Sequence, residues 1–265
     1  MTTLSWWQGL ILGLVQGLTE FLPVSSSGHL VLAERLVGFQ AQGVFFEVAV
    51  HVATLLSVVI AYRRRIGELL RGLFGGGGDA WRYTGMLILA SLPAGVAGVA
   101  LRDYFERSFH SLPALGWQFL ITAALLWSTK AALARATDTR VTAPRAILIG
   151  IGQAIAIVPA ISRSGTTIAA SLWSGLAADT AAEFSFLMSV IVIAGSGLLE
   201  ARHIPAGSHP FTAGLAVAFV TAMISGIVAI RFLVSLLRHK KFHLFAPYCA
   251  LLGAFCLVWF GVLGK

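Results

Sequence analysis

Chemically active side chains lie inside two apolar stretches of this 265-residue chain. The first stretch, residues 13–29 (GLVQGLTEFLPVSSSGH), contains Glu20, three consecutive serines and His29. The second, residues 150–167, carries Arg163 between two serines. Ionisable groups at membrane depth carry a free-energy cost and usually mark functional sites. Both stretches are therefore candidate sites if the chain lies in a bilayer.

Arg163 is a candidate anion-binding residue. Its guanidinium is always charged and presents a planar fork of donors that suits phosphate oxygens. It stands where a helix is predicted to restart, so free backbone N–H groups and the positive end of the helix dipole point the same way. The structural alternative is a buried Arg163 that pairs with Glu20 only to hold the two stretches together.

Glu20 and His29 supply the remaining chemistry. Gln16 and Glu20 lie one helical turn apart, which places an amide oxygen and a carboxylate on one face. That pair suits a hard divalent cation, Mg²⁺ first and Ca²⁺ second, whose coordination is completed by substrate phosphates. His29 titrates near neutral pH and follows Ser26 by three residues, so it is a candidate general acid or base. The structural alternative is a capping or salt-bridge role for Glu20 and simple hydrogen bonding for His29.

Composition predicts a helical membrane protein. Hydrophobic residues make up 57% of the chain and charged residues 11%, against roughly 45–50% and 25% in soluble proteins. Several apolar runs of about 20 residues, the length that crosses a bilayer, follow one another. The net charge of +8 lies in clusters between these runs, which is typical of topology signals and of contact with anionic lipid headgroups. We expect one all-α polytopic domain over residues 1–265, with membrane lipids as partners and no nucleic acid.

The two stretches are related by a shift of 137 residues. This shift superimposes Gly13 on Gly150, Gln16 on Gln153, Ser25 on Ser162, Ser27 on Ser164, Gly28 on Gly165 and Gly38 on Gly175. The shared order of Gln, two serines and Gly favours an internal duplication, with halves at about residues 6–140 and 145–265.

Each stretch is predicted to form a pair of short helices. Residues 6–22 and 24–38 are interrupted at Pro23, and residues 145–158 and 162–176 at Pro159–Ile161. These segments are short for a span, and non-helical backbone at membrane depth is tolerated where it lines a cavity, so both pairs are interpreted as re-entrant hairpins. The alternative is that four full spans replace the two hairpins. Six further spans are predicted at 44–62, 84–102, 115–134, 183–201, 212–237 and 244–263. The N-terminus lacks the basic region of a cleaved signal peptide, so the first run is expected to be retained.

The distribution of basic residues predicts the orientation. Twelve Lys and Arg residues fall in segments 63–82, 130–145 and 238–241, and five lie on the opposite side. The positive-inside rule places the twelve in the cytoplasm and both termini outside. Three spans separate the hairpins, so the second enters from the other side, as in an inverted-topology repeat whose tips can meet. The tips would bring together Glu20, Ser25, Ser26, Ser27 and His29 with Ser162, Arg163, Ser164, Thr166 and Thr167.

These motifs resemble those of the bacterial integral-membrane undecaprenyl-diphosphatases, the bacitracin-resistance family. QGLTE at 16–20 is similar to the family's Glu/Gln-x-x-x-Glu motif and precedes PVSSSGH at 23–29. PAISRSGTT at 159–167 is similar to its Pro-Gly-x-Ser-Arg-Ser-x-x-Thr motif, with Ala160 in place of Gly. Because Ala does not favour positive φ, this replacement puts the expected turn conformation in doubt.

The resemblance implies hydrolysis of a polyprenyl diphosphate, undecaprenyl diphosphate, to the monophosphate and inorganic phosphate, at a site open to the periplasm. It assigns metal binding to Glu20 and Gln16. The diphosphate would be bound by hydroxyls and by the guanidinium, namely Ser162, Arg163, Ser164 and Thr167, with Ser25 and Ser27 completing the hydroxyl set. His29 and Ser26 would perform proton transfer and attack.

Several alternatives stay open at this point. Ser26 could attack while His29 takes its proton, or His29 could activate a water; the sequence slightly favours direct participation of Ser26. An inverted repeat is also the architecture of secondary transporters, so a lipid-phosphate flippase is the competing function. A proton-transfer pair favours the enzyme. The oligomeric state is not fixed by the sequence, and a homodimer is one option.

Overall fold

The computed structural model describes residues 4–39, 45–101, 112–202 and 212–263. Within them the chain is helical, with one isolated β-bridge between Asp138 and Leu176. The helices are α1 (Trp6–Phe21), α2 (Ser26–Val37), α3 (Phe45–Ala61), α4 (Arg63–Phe74), α5 (Gly78–Ala100), α6 (Leu112–Arg135), α7 (Ala143–Ile155), α8 (Arg163–Trp173), α9 (Ala178–Ala201), α10 (Ala213–Arg238) and α11 (Phe245–Cys256). A 3-10 turn (Phe242–Leu244) precedes α11 and a π-helical segment (Leu257–Val262) continues it.

The described residues contain five helices long and apolar enough to cross a membrane. They are α5, α6, α9, α10 and the helical run Phe242–Val262. α3 is a mostly apolar helix of 17 residues and meets α4 at an angle of 78°. Counting α3 as a span gives the six predicted spans, and the prediction of an all-α polytopic membrane protein is confirmed.

Both predicted interruptions are present, and they are built alike. The backbone leaves the helix between α1 and α2 and again between α7 and α8. Each second helix is capped by a serine side chain: Ser25 accepts from the Gly28 N–H and Ser162 accepts from the Gly165 N–H. Such caps satisfy backbone donors that a helix start leaves free. Because the two caps are 137 residues apart, the repeat preserved the local chemistry of both helix starts.

The repeat also explains how the helices pack. The 137-residue shift maps α1 onto α7 and α5 onto α10. α1 packs on α10, and its counterpart α7 packs on α5. The first helix of each half therefore packs on a helix of the other half. Both interfaces use a glycine: a Cβ on Gly13 would lie 2.4 Å from the carbonyl oxygen of Ala218, and one on Gly150 would lie 2.5 Å from that of Ala90.

α4 was not foreseen, because the sequence analysis predicted no helix between the spans at 44–62 and 84–102. The helix forms because its apolar side chains lie on one side, where Ile66 and Leu69 pack against the core cluster that contains Phe184 and Leu187. Its arginines stay accessible at the surface of the bundle. α5 also begins at Gly78, six residues before the predicted apolar run, because helical hydrogen bonding continues beyond hydrophobic sequence.

Candidate active site

The tips of the two hairpins meet. The Ser164 hydroxyl donates to the carbonyl oxygen of Leu22 over 3.2 Å. A Cβ added to Gly28 would lie 2.9 Å from Cβ of Ala160, and also 2.6 Å from Cζ of Phe119. A larger residue than glycine at position 28 would therefore separate the tips. The sequence analysis expected that the tips can meet, and the structure shows this contact.

Glu20 is the centre of the contact. One carboxylate oxygen, Oε1, pairs with Nη2 of Arg163. The other, Oε2, accepts from the Ser26 hydroxyl over 2.5 Å and from Nε2 of Gln16 over 3.1 Å. The Glu20 side chain is 5% exposed and that of Arg163 is 18% exposed. Charge-assisted hydrogen bonds on both oxygens compensate for removing the carboxylate from water.

His51 on α3 also faces this carboxylate. Its Nε2 lies 3.8 Å from Oε2 of Glu20, and its Nδ1 is 2.7 Å from the carbonyl oxygen of Glu47. Its distance from Glu20 makes it a neighbour of the site, contributed by an element outside both hairpins.

His29 points away from Ser26. Its Nδ1 lies 2.7 Å from the carbonyl oxygen of Ser25, and its Nε2 lies 2.6 Å from the hydroxyl of Tyr248. Its ring stacks on Tyr248 and meets Phe119 edge to face. Both ring nitrogens are thus engaged, whereas Ser26 donates to Glu20. In this arrangement the hydrogen-bonded partner of Ser26 is the carboxylate and not the imidazole.

The remaining predicted hydroxyls divide into two groups. Ser162 and Ser164 lie at the start of α8 with their oxygens 3.3 Å apart, next to Arg163. Thr167 is one turn further along, where its hydroxyl donates to the Arg163 carbonyl over 2.8 Å and lies 2.6 Å from that of Ser185. Ser162 and Ser164 are therefore near the ion pair, while Thr167 ties α8 to α9.

The first hairpin contributes two more hydroxyls. Ser25 caps α2, and its φ of 69° is unusual for a residue with a side chain. Ser27 is half-buried in the first turn of α2. Both flank Ser26, which alone of the three serines bonds to Glu20. The role of Ser25 and Ser27 in binding a diphosphate stays a prediction.

Thr122 on α6 holds the second interruption in place. Ala160 adopts a φ of 56°, so the left-handed conformation survives the replacement of the motif's glycine. The Thr122 hydroxyl donates to the Ala160 carbonyl over 3.0 Å and accepts from the Ser162 N–H over 3.2 Å. The sequence analysis missed Thr122, because one threonine in an apolar span carries no local signal.

Gln16 and Glu20 are the residues of the site whose oxygen atoms could hold a divalent cation. Oε1 of Gln16 is buried and has no hydrogen-bond partner. Nε2 of the same side chain donates to Glu20. No cluster of three His, Cys, Asp or Glu ligands occurs in the described part of the chain. A carboxylate plus one amide oxygen, with phosphate and water completing the shell, is the donor set that Mg²⁺ accepts.

The match to known proteins covers both hairpins. The family model for bacitracin resistance protein BacA matches residues 9–255. The chain belongs to the BacA family. Relatives in this family are named undecaprenyl-diphosphatase: one from Desulfosudis oleivorans is 38% identical over 96% of this chain and 98% of its own length. Those from Korarchaeum cryptofilum and Carboxydothermus hydrogenoformans are each 39% identical, over 93% and 95% of this chain and 96% of their own lengths.

Proposed function

We propose that this BacA-family protein hydrolyses undecaprenyl diphosphate to undecaprenyl phosphate and inorganic phosphate. The reaction would recycle the lipid carrier for cell-wall synthesis and confer bacitracin resistance. The observation that carries the proposal is the Glu20 carboxylate, bound on its two oxygens by Arg163 and Ser26 where the hairpin tips meet. A cation, a carboxylate and a hydroxyl at one buried point are the parts that phosphoryl transfer uses.

Arg163 binds the diphosphate in this proposal. Its guanidinium has five N–H donors, and only Nη2 is engaged by Glu20. Within the described residues the other side-chain donors have no partner, so they can bind phosphate oxygens together with the hydroxyls of Ser162 and Ser164. Fixed donors of this kind stabilise the charge that spreads over the transferring phosphoryl group. The structural role considered for Arg163, pairing with Glu20, is present as well, so one residue serves both purposes.

Ser26 is the proposed nucleophile. Its oxygen forms a bond to the terminal phosphorus while the bond from that phosphorus to the bridging oxygen breaks, and undecaprenyl phosphate leaves with the bridging oxygen. Glu20 accepts the Ser26 proton through the 2.5 Å hydrogen bond. Water then hydrolyses the phosphoserine and releases phosphate. Direct attack by water activated by His29 is the alternative route, and it requires His29 to leave Tyr248.

A divalent cation bound by Glu20 and the Gln16 oxygen would neutralise phosphate charge. Glu20 would then hold the cation in addition to Arg163 and Ser26. Two observations support the proposed metal requirement. Oε1 of Gln16 has no hydrogen-bond partner, and Glu20 beside it is the one carboxylate that pairs with Arg163 among the described residues.

The lipid tail is proposed to stay outside the bundle while the diphosphate enters from the side. Tyr248, which bonds to His29, is 47% exposed on the outer surface of the bundle. The polar site therefore reaches a surface that acyl chains would cover. The excess of basic residues at one end supports a cytoplasmic-membrane protein with the site and both termini on the periplasmic side.

Phosphate release from undecaprenyl diphosphate by purified protein in detergent tests the function. We expect release that EDTA abolishes and that Mg²⁺ restores, and a loss of about 10²–10³-fold in Arg163→Ala. Arg238→Ala is the matched control, because Arg238 forms an exposed pair with Asp179 and not with Glu20. A detergent solution holds no gradient, so folded wild-type protein without release would favour a lipid-phosphate transporter instead.

A further inference from the structure

α4 is amphipathic and leaves part of its apolar face uncovered. At roughly 100° per residue, Ile66, Leu69, Leu70, Leu73 and Phe74 fall on one side of the helix. Ile66 and Leu69 pack on the bundle, but Leu70 is 49% exposed and Phe74 is 90% exposed. No residue of α4 is fully buried. The bundle therefore covers only half of the apolar face.

The opposite side of α4 carries Arg64 and Arg71 together with Glu68, which pairs with Arg65. Arg64 and Arg71 are exposed and lie two turns apart, so they point in the same direction. Within the described residues neither forms an ion pair with a carboxylate, in contrast to Arg65, which pairs with Glu183 over 2.9 Å and with Glu68 over 3.3 Å. The fold thus neutralises one arginine of α4 and leaves the outward-facing ones without an anionic partner from this part of the chain.

The direction of α4 suits a position at the membrane surface. α3 is an apolar helix of the bundle, and α4 leaves it at an angle of 78°. A helix nearly perpendicular to a spanning helix lies close to the membrane plane. Trp81 fixes α4 in this direction, since its Nε1 donates to the Leu73 carbonyl over 3.1 Å while 61% of the residue stays exposed. Tryptophan with one wet and one apolar side is typical of membrane interfaces.

We propose that α4 is an interfacial helix that binds the headgroups of anionic phospholipids. Leu70, Phe74 and Trp81 would enter the acyl boundary of the leaflet, while Arg64 and Arg71 would contact lipid phosphates. This combination of an apolar edge, arginines on the opposite side and an in-plane direction is what anionic lipid surfaces recognise. The inference does not depend on the phosphatase activity, because α4 contributes no residue to the Glu20 site.

Spin labels on α4 test its depth in the membrane. We would label Leu70→Cys, Phe74→Cys, Arg64→Cys and Arg71→Cys in lipid nanodiscs and compare their accessibility to oxygen and to a water-soluble nickel chelate. Leu70 and Arg71 are neighbours, so they form a matched pair. The labels at 70 and 74 should favour oxygen and those at 64 and 71 the chelate. Four water-exposed labels would overturn the proposal. Unsubstituted protein, whose two cysteines are buried, gives the background.

Headgroup selectivity tests the role of the arginines. We would measure the association of spin-labelled phosphatidylglycerol relative to phosphatidylcholine in nanodiscs. Arg64→Gln with Arg71→Gln should weaken the phosphatidylglycerol preference at this site by roughly fivefold for each arginine. Arg135→Gln with Arg140→Gln removes the same charge elsewhere and should leave the preference largely unchanged. An equal loss in both double variants would refute a specific site on α4.

Inorganic phosphate separates a lipid surface from a simple anion site. Added phosphate should not displace labelled phosphatidylglycerol beyond the effect of chloride at the same ionic strength, because free phosphate has no acyl chain to insert beside Leu70 and Phe74. Displacement by phosphate alone would mean that Arg64 and Arg71 bind a soluble anion, and the lipid assignment would then be wrong.

Discussion

The two hairpins share one scaffold but carry different chemistry. Both have a serine cap, a buried glutamine in the last two turns of the first helix and a close glycine contact with the opposite half. The shift of 137 residues maps Glu20 onto Ile157 and Arg163 onto Ser26. The first hairpin therefore carries the carboxylate and the hydroxyl, and the second carries the cation. The two hairpins share their geometry, and the difference at these positions gives one site instead of two.

Ser26 and Arg163 make this comparison concrete. They are the first residues of α2 and α8, and both bind Glu20, one on each carboxylate oxygen. The repeat thus presents two equivalent helix starts to a carboxylate that has no counterpart. Two copies of the first hairpin would place two carboxylates and no arginine at the contact, and two copies of the second would place two arginines and no carboxylate there.

The largest effect is expected from breaking this asymmetry at Glu20 and Arg163. Glu20→Gln and Arg163→Gln should each reduce phosphate release about 10²–10³-fold, and the double variant should lose little more, because the pair acts as a unit. The double variant should also unfold at a higher temperature than either single, since each single leaves one buried charge unpaired. Ile157→Gln, at the position equivalent to Glu20, should retain activity. Normal turnover in either single variant would refute the site.

Ser26→Ala should have the next largest effect. Loss of the nucleophile should lower kcat by roughly 10²–10⁴-fold, the range associated with positioned groups in proton transfer and attack. KM should change little, because Arg163 still binds the diphosphate. Rapid-quench trapping with labelled substrate should find phosphoserine in wild-type protein. A kcat loss confined to His29→Gln, with Ser26→Ala active, would instead support attack by water.

Substituting the packing glycines tests whether the halves are equivalent in structure. Gly13→Ala and Gly150→Ala should each destabilise the fold by about 1–3 kcal/mol, because the added methyl group meets a carbonyl oxygen at about the same distance in both halves. Gly95→Ala on α5 is the control, since nothing lies within 4 Å of its Cβ position. Thermal unfolding in detergent measures all three. A tolerant Gly150 beside an intolerant Gly13 would mean that the packing has diverged as well.

Thr122→Val should impair the second hairpin alone. It removes two buried hydrogen bonds, each worth about 0.5–1.5 kcal/mol, from a turn in which Ala160 holds a left-handed conformation. Activity should fall and KM should rise, because the direction of Arg163 depends on that turn. Thr122→Ser should retain function. Adding Ala160→Gly to Thr122→Val should restore part of it, since glycine favours positive φ. No rescue in the double variant would limit Thr122 to general packing.

The smallest expected effect is a change in stability at acid pH, caused by Asp138 just before α7. The backbone N–H of Arg140 and the side chain of Arg145 hold the pKa of the Asp138 carboxyl below its usual range. A group with a depressed folded pKa stabilises the fold above its unfolded pKa, near 4, and this contribution is lost as the pH falls through the folded pKa. In Asp138→Asn the unfolding temperature should therefore fall slightly less than in the wild type as the pH is lowered from about 6 to 3.

The fold was largely predictable because hydrophobicity is a local property. Runs of apolar residues defined the spans, and Pro23 with Pro159 marked the interruptions within a few residues. α4 was the exception. No helix was predicted there, and only the packing of Ile66 and Leu69 on the bundle reveals why the segment is a helix.

The members of the site were predictable, but their pairing was not. Glu20, Ser26, His29 and Arg163 are conspicuous in apolar sequence because each carries a free-energy cost there. Sequence spacing suggested that Ser26 and His29 act together, yet Ser26 binds Glu20 and His29 binds Tyr248, which is 219 residues away.

The sequence by itself determined a duplicated membrane chain with one carboxylate and one arginine in its two interruptions. The tertiary structure decided that these groups meet, that Ser26 completes the contact, and that Thr122, His51 and Tyr248 surround it. The physical reason is that the free-energy cost of burying a polar side chain depends on the residue itself. Its hydrogen-bond partners depend instead on how separate helices pack against each other. Contacts such as Thr122 to Ala160 join elements that local sequence cannot relate.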